Sequence, residues 1–405
     1  MSFADETSMA KMGAKKQKQK TTKNGGMFDP MSVTWLEKHD EFVSGIWRKI
    51  PYNVGQVIAT VATFLVGISI NGDWVNLFVH IRKQFGYNSP ALSNRTSYLS
   101  GYTLEDLKLQ NFLTFWIPSC IISYSIYFGV GGFLHWYYYV RQRDKPEEWK
   151  CQPKKWLSPE LERHEIILGS ITLLFNFTVT AILACYLSNG GWSMVYYKLD
   201  EYGWLWLILQ FPVVYVILDY EIYWIHRIFH FPFLYKHFHK LHHKYKQPTA
   251  FSVTAIHPVE SVTIQVLVVL ILFVIPLHWF PFYAVAIYNY YHGIIDHSGI
   301  NFKAYWWQPW QPDAIFHDNH HQYFHVNFGF NLSIWDKIYG THRVKDRVYR
   351  ENTFYGRGKL ISELNEAELQ EEIELRDHEN PLAYRSNTNE NELSAVELKK
   401  LKLKK

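Results

Sequence analysis

Long apolar runs constrain the fold of this chain more than any other feature. Four of them are separated by polar segments: Val54–Ile70, Phe112–Phe133, Ile166–Leu187 and Trp204–Trp224. A helix needs about 20 mostly apolar residues to cross the hydrocarbon core of a bilayer. Four such runs with few charges are not typical of the core helices of a soluble protein. The sequence therefore predicts an all-α, polytopic membrane bundle with about four spans.

A fifth apolar stretch, Val262–Tyr291, has a different pattern because Pro276, His278 and Pro281 interrupt it. Proline interrupts a helix because it lacks a backbone N–H group and its ring clashes with the preceding turn. Each half is about fifteen residues long, which is too short for an upright full span. We therefore expect a re-entrant or thin hairpin that turns near the prolines and returns to the side from which it entered.

Charge predicts how the spans are oriented. Lys11–Lys23 is rich in lysine, and the loop His135–Glu165 carries more Lys and Arg than the longer loop Asn71–Asn111. Basic loops stay in the cytosol, so the fourth run should end on the cytosolic side. The net charge of +4 is mild and gives no reason to expect a nucleic-acid partner.

Composition divides the chain into four predicted regions. A basic tail and pre-membrane segment covers residues 1–50, and an N-terminal transmembrane region covers 51–203. A histidine-rich domain covers 204–348, and a charged C-terminal tail covers 349–405, within which the acidic stretch Ile361–Arg376 is predicted to form a solvated helix. Three cysteines in 405 residues do not form a disulfide framework.

The histidines point to metal chemistry, because imidazole is the commonest neutral metal ligand. The chain has 20 histidines, most of them in one third of its length. Eight are spaced three or four residues apart or are adjacent, so that on a helix they would share one face. These are His226, His230, His239, His242, His243, His317, His320 and His321.

Eight matched imidazoles exceed the four ligands that a zinc ion normally takes, so two metal ions fit the pattern better than one. Both clusters must then lie on the same side of the membrane. Imidazole suits iron, zinc and copper, and the pattern alone does not identify the metal. His237 and His325 do not follow the spacing, and we interpret them as structural or as supports for the ligands.

The three boxes H-x3-H, H-x2-H-H and H-x2-H-H resemble those of the membrane-bound fatty acid hydroxylase/sterol desaturase superfamily. Shorter elements between and after the boxes are also similar to family patterns. They are His257-Pro258-Val259-Glu260, His297-Ser298-Gly299, Asn327-Phe328-Gly329 and Trp335-Asp336. The resemblance covers about Trp204–Arg343. Motifs of soluble enzymes, such as H-E-x-x-H and G-x-S-x-G, are absent from the sequence.

The resemblance implies a cytosol-facing centre of two iron ions in the endoplasmic reticulum membrane, with dioxygen as the oxidant. It also implies electrons from NAD(P)H, delivered by cytochrome b5 and its reductase. No H-P-G-G haem motif is present, so the cytochrome must act in trans. Carried over by position, the eight histidines are metal ligands. The family has two further ligands at an H-x3-H, which reads His292-x3-Asp296 here and is followed by His297. We favour His292 and His297 over Asp296.

The expected reaction is hydroxylation or desaturation of a sterol or related lipid at an unactivated C–H bond. Within the family, some motifs resemble sterol 5-desaturases of the lathosterol oxidase type, whereas His297-Ser298-Gly299 is closer to the 4-methyl sterol oxidases. A fatty acyl or sphingolipid hydroxylase is the alternative. A zinc-dependent membrane hydrolase would need a general-base Glu beside a ligand, and none lies inside the boxes. A non-catalytic scaffold is disfavoured because the boxes are intact.

Overall fold

The computed structural model describes residues 73–86, 103–354, 357–384 and 395–403, with scattered positions between 45 and 65 and residue 393. Two compact units are distinguished, Met1–Lys49 and Ile50–Lys405, and nearly all described residues belong to the second. The predicted span Val54–Ile70 lies mainly outside the described residues, and so does the Lys-rich stretch Lys11–Lys23.

The described chain is predominantly helical, which confirms the predicted all-α class. The helices are α1 (Trp74–Gln84), α2 (Phe112–Val140), α3 (Pro146–Trp149), α4 (Pro159–Ser188), α5 (Trp204–Phe229), α6 (Pro232–His237), α7 (Pro258–Leu270), α8 (Trp279–Asp296), α9 (Ile315–Tyr323), α10 (Ile334–Tyr339), α11 (Glu366–Arg376) and α12 (Ala395–Lys402). Two-residue strands form two small sheets: β1 (Val195–Tyr196) pairs in parallel with β2 (Leu277–His278), and β3 (Arg347–Val348) pairs antiparallel with β4 (Lys359–Leu360).

Three helices within the described ranges are long and apolar enough to cross a membrane, namely α2, α4 and α5. They contain the second, third and fourth predicted runs and extend beyond them. α4 begins earlier than its apolar run because Ser158 caps it: the Ser158 hydroxyl accepts a hydrogen bond from the Leu161 N–H at 3.2 Å. Proline at the first helical position, Pro159, also favours a helix start.

The fifth apolar stretch forms the predicted hairpin. α7 continues as a 3-10 turn over Ile271–Phe273, the chain reverses, and α8 begins at Trp279. Pro276 lies in the reversal, where its carbonyl accepts a hydrogen bond from the Trp206 indole at 2.9 Å. β1 pairs with β2 beside the tip. Buried side chains from α5, the hairpin and its tip form one apolar cluster, so the hairpin is packed into the bundle.

Two parts of the structure differ from what the sequence indicated. α1 lies in the segment predicted to be a loop, and its Val75 and Val79 pack against Leu183 and Leu187 of α4. The acidic C-terminal helix forms as α11, but it is partly embedded rather than solvated. Its buried Glu372 accepts hydrogen bonds from Arg376 at 2.8 Å and from Arg350 at 2.6 Å.

The segment after α11 packs against the third histidine box. Glu379 accepts hydrogen bonds from Arg343 at 3.1 Å and from the hydroxyl of Tyr323, the last residue of α9. Tyr384 bonds both Glu379 at 2.5 Å and Asn319, a residue of α9, at 2.9 Å. Residues 379–384 therefore support the helix that presents the third box.

Candidate metal centre

The first group of histidines combines all three boxes. Each of its five members offers one ring nitrogen, and these nitrogens all lie within 4.8 Å of one another. The last turn and C-cap of α5 supply two rings, the 3-10 helix His239–Lys244 supplies two, and α9 supplies one. The members are His226, His230, His239, His243 and His320, and all five are buried.

The second group adds the region before the third box. It contains His242, His297, His317 and His321, which are buried and satisfy the same 4.8 Å criterion. Together the two groups contain nine of the ten ligands predicted from the sequence. His292 and Asp296 are outside both groups. Of the three candidate ligands in this region, His297 is the one that the structure brings into a group.

The distances between ring nitrogens fit a shared ion. His243 Nε2 lies 3.1 Å from His239 Nε2 and 3.3 Å from His230 Nε2. In the second group, His317 Nε2 lies 2.9 Å from His297 Nε2. Two imidazole nitrogens bound at right angles to an ion, each about 2.1 Å away, are roughly 3 Å apart. Both groups therefore have the spacing that a metal ion requires.

Backbone carbonyls hold the outer nitrogen of several rings. Phe328 O lies 3.0 Å from His226 Nδ1, and Val326 O lies 2.7 Å from His320 Nδ1. The carbonyl can only accept, so Nδ1 carries the proton and Nε2 is left bare for a metal. A short segment between α9 and α10 thus orients one ligand of the first box and one of the third.

The N-F-G and W-D elements of the sequence maintain that segment. Asp336 accepts hydrogen bonds at 2.8 Å from the backbone N–H groups of both Phe328 and Gly329. Any Cβ at Gly329 would lie 2.6 Å from the carbonyl oxygen of Leu332, so only glycine fits. Sequence reasoning recognised these residues as family elements without a role. Their role in the structure is to hold the Phe328 carbonyl against His226.

The H-P-V-E element contributes a carboxylate that sequence reasoning did not assign. Glu260, near the start of α7, accepts a hydrogen bond from His239 Nδ1 at 2.6 Å, and both side chains are buried. Two rings of the second group are held by backbone: His242 Nδ1 by Ala255 O at 3.3 Å and His297 Nδ1 by Gly293 O at 2.7 Å. The hairpin and the loop before it therefore orient three of the grouped histidines, and the two ends of the hairpin lie at the same centre.

His325, predicted to be structural or to support a ligand, bonds a ring of the first group. Its Nε2 donates to Glu351 O at 2.7 Å, because the carbonyl can only accept. Its Nδ1 therefore accepts from His230 Nδ1 at 2.8 Å, which leaves His230 Nε2 bare and pointing to the first group. His237, the other histidine off the spacing, bonds Phe233 O at 2.8 Å and belongs to neither group.

Several inner nitrogens fit a metal because nothing else satisfies them. Within the described chain, His320 Nε2 and both ring nitrogens of His321 are buried without a hydrogen-bond partner. Burial, and then the neighbouring imidazoles, hold the pKa values of His243, His320 and His321 well below the usual value for histidine. These rings are therefore neutral, the form that binds metal.

A cavity of about 150 Å³ adjoins both groups. It lies between α4, α5, α7 and α8, and apolar side chains such as Leu218, Ile264 and Val268 form much of its wall. A dry cavity of about this size holds a benzene-sized group, so it can receive the reacting part of a lipid. Two ligands from each histidine group also line it: His226, His239, His242 and His297.

The chain is similar to known proteins over the region that carries the histidine groups. Residues 211–341 match the model of the fatty acid hydroxylase family. The chain is similar to the Delta(7)-sterol 5(6)-desaturase ERG3B of Gibberella zeae, with 37% identity over 38% of this chain and 47% of the relative. It is similar to the lathosterol oxidase of Rattus norvegicus, with 31% identity over 42% of this chain and 55% of the relative.

A longer but weaker similarity joins this chain to the Delta(7)-sterol 5(6)-desaturase ERG3A of Gibberella zeae, with 27% identity over 70% of this chain and 78% of the relative. In the two alignments above, the chain spans about half the length of its curated relatives. No solved structure matches the chain. Residues 211–341, which match the family model, contain both histidine groups and the hairpin.

Proposed function

We propose that this protein is a membrane-bound oxidoreductase. The premise is that residues 211–341 belong to the fatty acid hydroxylase/sterol desaturase superfamily. The protein uses dioxygen to desaturate or hydroxylate a sterol or a related lipid. The relatives named as sterol 5(6)-desaturases and lathosterol oxidase favour a sterol substrate and desaturation over the 4-methyl sterol oxidase reaction. A fatty acyl or sphingolipid hydroxylase is the second candidate, favoured by the name of the matching family.

One observation carries the proposal: two groups of buried imidazoles adjoin an apolar cavity whose wall includes two helices long enough to span a membrane, α4 and α5. Two iron ions are the proposed occupants, held by the nine grouped histidines, with His292 as a predicted tenth ligand that lies apart from them. When bound, the iron pair would supply the electrons and the Lewis acidity needed to activate dioxygen. Five imidazoles around one position exceed the usual tetrahedral set of zinc.

The side chains perform the remaining tasks. The apolar wall excludes water and takes up the lipid, which protects an oxidising centre from side reactions. The carbonyls of Phe328, Val326 and Ala255, together with Glu260, fix the direction of the imidazoles. Desaturation consumes one dioxygen, two electrons and two protons, and it yields the alkene and two molecules of water. Hydroxylation has the same inputs and yields the alcohol and one water.

The electrons are proposed to come from NAD(P)H through cytochrome b5 and its reductase, since the sequence has no haem motif of its own. This supply requires the histidine groups to face the cytosol, with the protein in the endoplasmic reticulum membrane. The distribution of Lys and Arg supports that orientation. A glycosylation sequon at Asn94, which lies outside the described residues, should then be lumenal.

Purified protein in lipid nanodiscs tests the proposal directly. Loaded with iron and supplied with NADH, cytochrome b5 and its reductase, it should convert lathosterol to the doubly unsaturated sterol with matching consumption of dioxygen. A ceramide substrate tests the second candidate in parallel. About two iron atoms per chain are expected. Full activity with one zinc per chain and no iron would contradict the proposal, as would activity that does not require dioxygen.

A further inference from the structure

Asn289 places an unused hydrogen-bond donor in the wall of the cavity. It lies on α8, is 6% exposed and lines the cavity beside His297 and Gly293. Its Nδ2 has no hydrogen-bond partner within the described chain. A buried amide without a partner is costly, by about 1–3 kcal/mol, so such a group in a cavity indicates that a ligand provides the partner.

The carbonyl oxygen of the Asn289 side chain already accepts a hydrogen bond, which fixes the orientation of the amide. Asn331 Nδ2 donates to Asn289 Oδ1 at 2.8 Å. Asn331 is itself held by Asp219, whose Oδ1 accepts from the Asn331 backbone N–H at 2.9 Å, and whose other oxygen accepts from the Trp335 indole at 2.7 Å. Because Asn289 Oδ1 is the acceptor, Nδ2 is the atom that remains for a further partner.

The hydrogen-bond donors of other polar side chains in the wall already have partners. The Ser261 hydroxyl donates to Asn176 Oδ1 at 2.7 Å, and Gln265 Nε2 donates to Thr180 Oγ1 at 2.5 Å. The Glu260 carboxylate is engaged with His239. Apart from the histidine rings, Asn289 is thus the residue of the described wall whose amide donor is available to a bound ligand.

We propose that Asn289 Nδ2 donates a hydrogen bond to the hydroxyl oxygen of a bound sterol and so sets how the molecule lies against the metal centre. A sterol has an apolar skeleton with a single hydroxyl, which matches an apolar wall with a single waiting donor. A carboxylate or a ceramide head would bring more polar groups than this wall can satisfy. The inference rests on the proposed function, because it takes a sterol as the substrate.

Equilibrium binding and turnover are measured on the full chain in nanodiscs, with lathosterol and its 3-deoxy analogue as probes. The wild-type protein should bind lathosterol about three- to tenfold more tightly than the deoxy analogue, the range expected for one hydrogen bond. Asn289→Leu keeps the side-chain size and removes the whole amide, both the donor and the oxygen that accepts from Asn331, so it should bind both probes equally. Asn189→Leu makes the same change at the end of α4, outside the cavity and the centre, and should retain the wild-type preference.

Each outcome has one meaning. Equal binding of the two probes by the wild type, an unchanged preference in Asn289→Leu, or no binding of either probe overturns the role of Asn289. A preference that disappears in Asn289→Leu but not in Asn189→Leu supports it. If that binding result is obtained while lathosterol is never oxidised, the proposed function fails and the hydroxyl-binding role of Asn289 stands. Iron content and a thermal unfolding midpoint verify that each variant is folded.

Discussion

The two histidine groups differ in how firmly their rings are held. In the five-ring group, every ring except His243 has its outer nitrogen bonded to a carbonyl, a carboxylate or another imidazole. In the four-ring group only His242 and His297 are held in this way. Within the described chain, His317 Nδ1 and both nitrogens of His321 have no hydrogen-bond partner.

This difference suggests different roles for the two proposed metal positions. Anchored rings present their nitrogens in fixed directions, which raises affinity and fixes geometry. The five-ring position is therefore expected to bind its ion tightly and to leave little room for other ligands. The four-ring position has fewer and looser ligands, and catalytic metal sites keep a coordination position open. We expect the four-ring position to exchange metal faster and to receive the oxidant.

The largest expected effect comes from removing one ligand of each group. His321→Ala leaves three imidazoles, so dialysis against a chelator should leave about one metal ion per chain and reduce lipid oxidation by more than about 100-fold. His243→Ala leaves four anchored imidazoles and should retain two ions. Metal analysis on both variants, with membrane insertion verified by extraction, measures this. Equal metal loss in the two variants would break the comparison.

His242→Ala and His320→Ala extend this test across the groups. Each removes a ring that both the spacing and the structure place at the centre, so each should abolish lipid oxidation while the protein still inserts in the membrane. The residual metal should differ, with less retained in His242→Ala because it belongs to the four-ring group.

The anchoring carboxylate gives the next largest effect. Glu260→Gln keeps the shape and removes the charge that accepts from His239. Activity should fall by about 10- to 100-fold, because outer partners of metal-bound histidines have effects of this size. Steady-state oxidation with metal titration measures the loss and its origin. Glu374→Gln, on the exposed face of α11, is the matched control and should behave as wild type. Wild-type metal affinity in Glu260→Gln would contradict an orienting role.

His325→Ala should be milder, with a loss of about tenfold at the lower end of the range for such partners. His325 fixes the proton of His230 but binds no metal itself. His325→Gln can accept from His230 and donate to Glu351 O, so it should recover most of the activity. A merely structural role would not be rescued in this way. A loss as large as that of His320→Ala would show that His325 is a ligand.

The smallest effect concerns acid stability without metal. The pKa values of His243, His320 and His321 lie well below 6.5 in the folded chain because of burial. As the pH falls, these histidines are protonated in the unfolded chain before they are protonated in the folded chain. Their contribution to the free energy of unfolding is therefore fully present above about pH 6.5 and decreases as the pH falls below it. Each such histidine contributes about 1.4 kcal/mol per pH unit. Unfolding midpoints of chelator-treated protein at pH 7.5 and 5.5 should differ more than those of metal-loaded protein.

The sequence predicted those parts of the molecule that repeat a simple period. Apolar runs predicted α2, α4, α5 and the hairpin, and the spacing of the histidines predicted that the three boxes come together. Spacing could not choose between Asp296 and His297, because the choice depends on where α8 ends and how its C-cap is turned. His292 was carried over from the family pattern; its ring packs against Tyr288 and Tyr291, outside both groups, and its role as a ligand stays a prediction.

Contacts between distant segments were beyond the reach of the sequence. The bond from Glu260 to His239 depends on how the start of α7 packs on a 3-10 helix. The bonds from Glu379 and Tyr384 to α9 and its neighbours depend on how the C-terminal segment folds back. No local period encodes such pairs. A charged stretch such as Ile361–Arg376 therefore resembles a solvated helix even where its Glu372 is fully buried.

The short hairpin has a consequence for the surrounding lipid. α8 has 18 residues and is about 27 Å long, whereas a typical hydrocarbon core is about 30 Å thick. The bilayer must become thinner around the tip or the tip must remain below the far surface, and either adjustment costs a fraction of a kcal/mol per Å. The endoplasmic reticulum bilayer is thinner than the plasma membrane, at about 27 Å. Hydrophobic matching alone would then favour this protein in thin bilayers, and oxidation should slow in nanodiscs made of longer acyl chains.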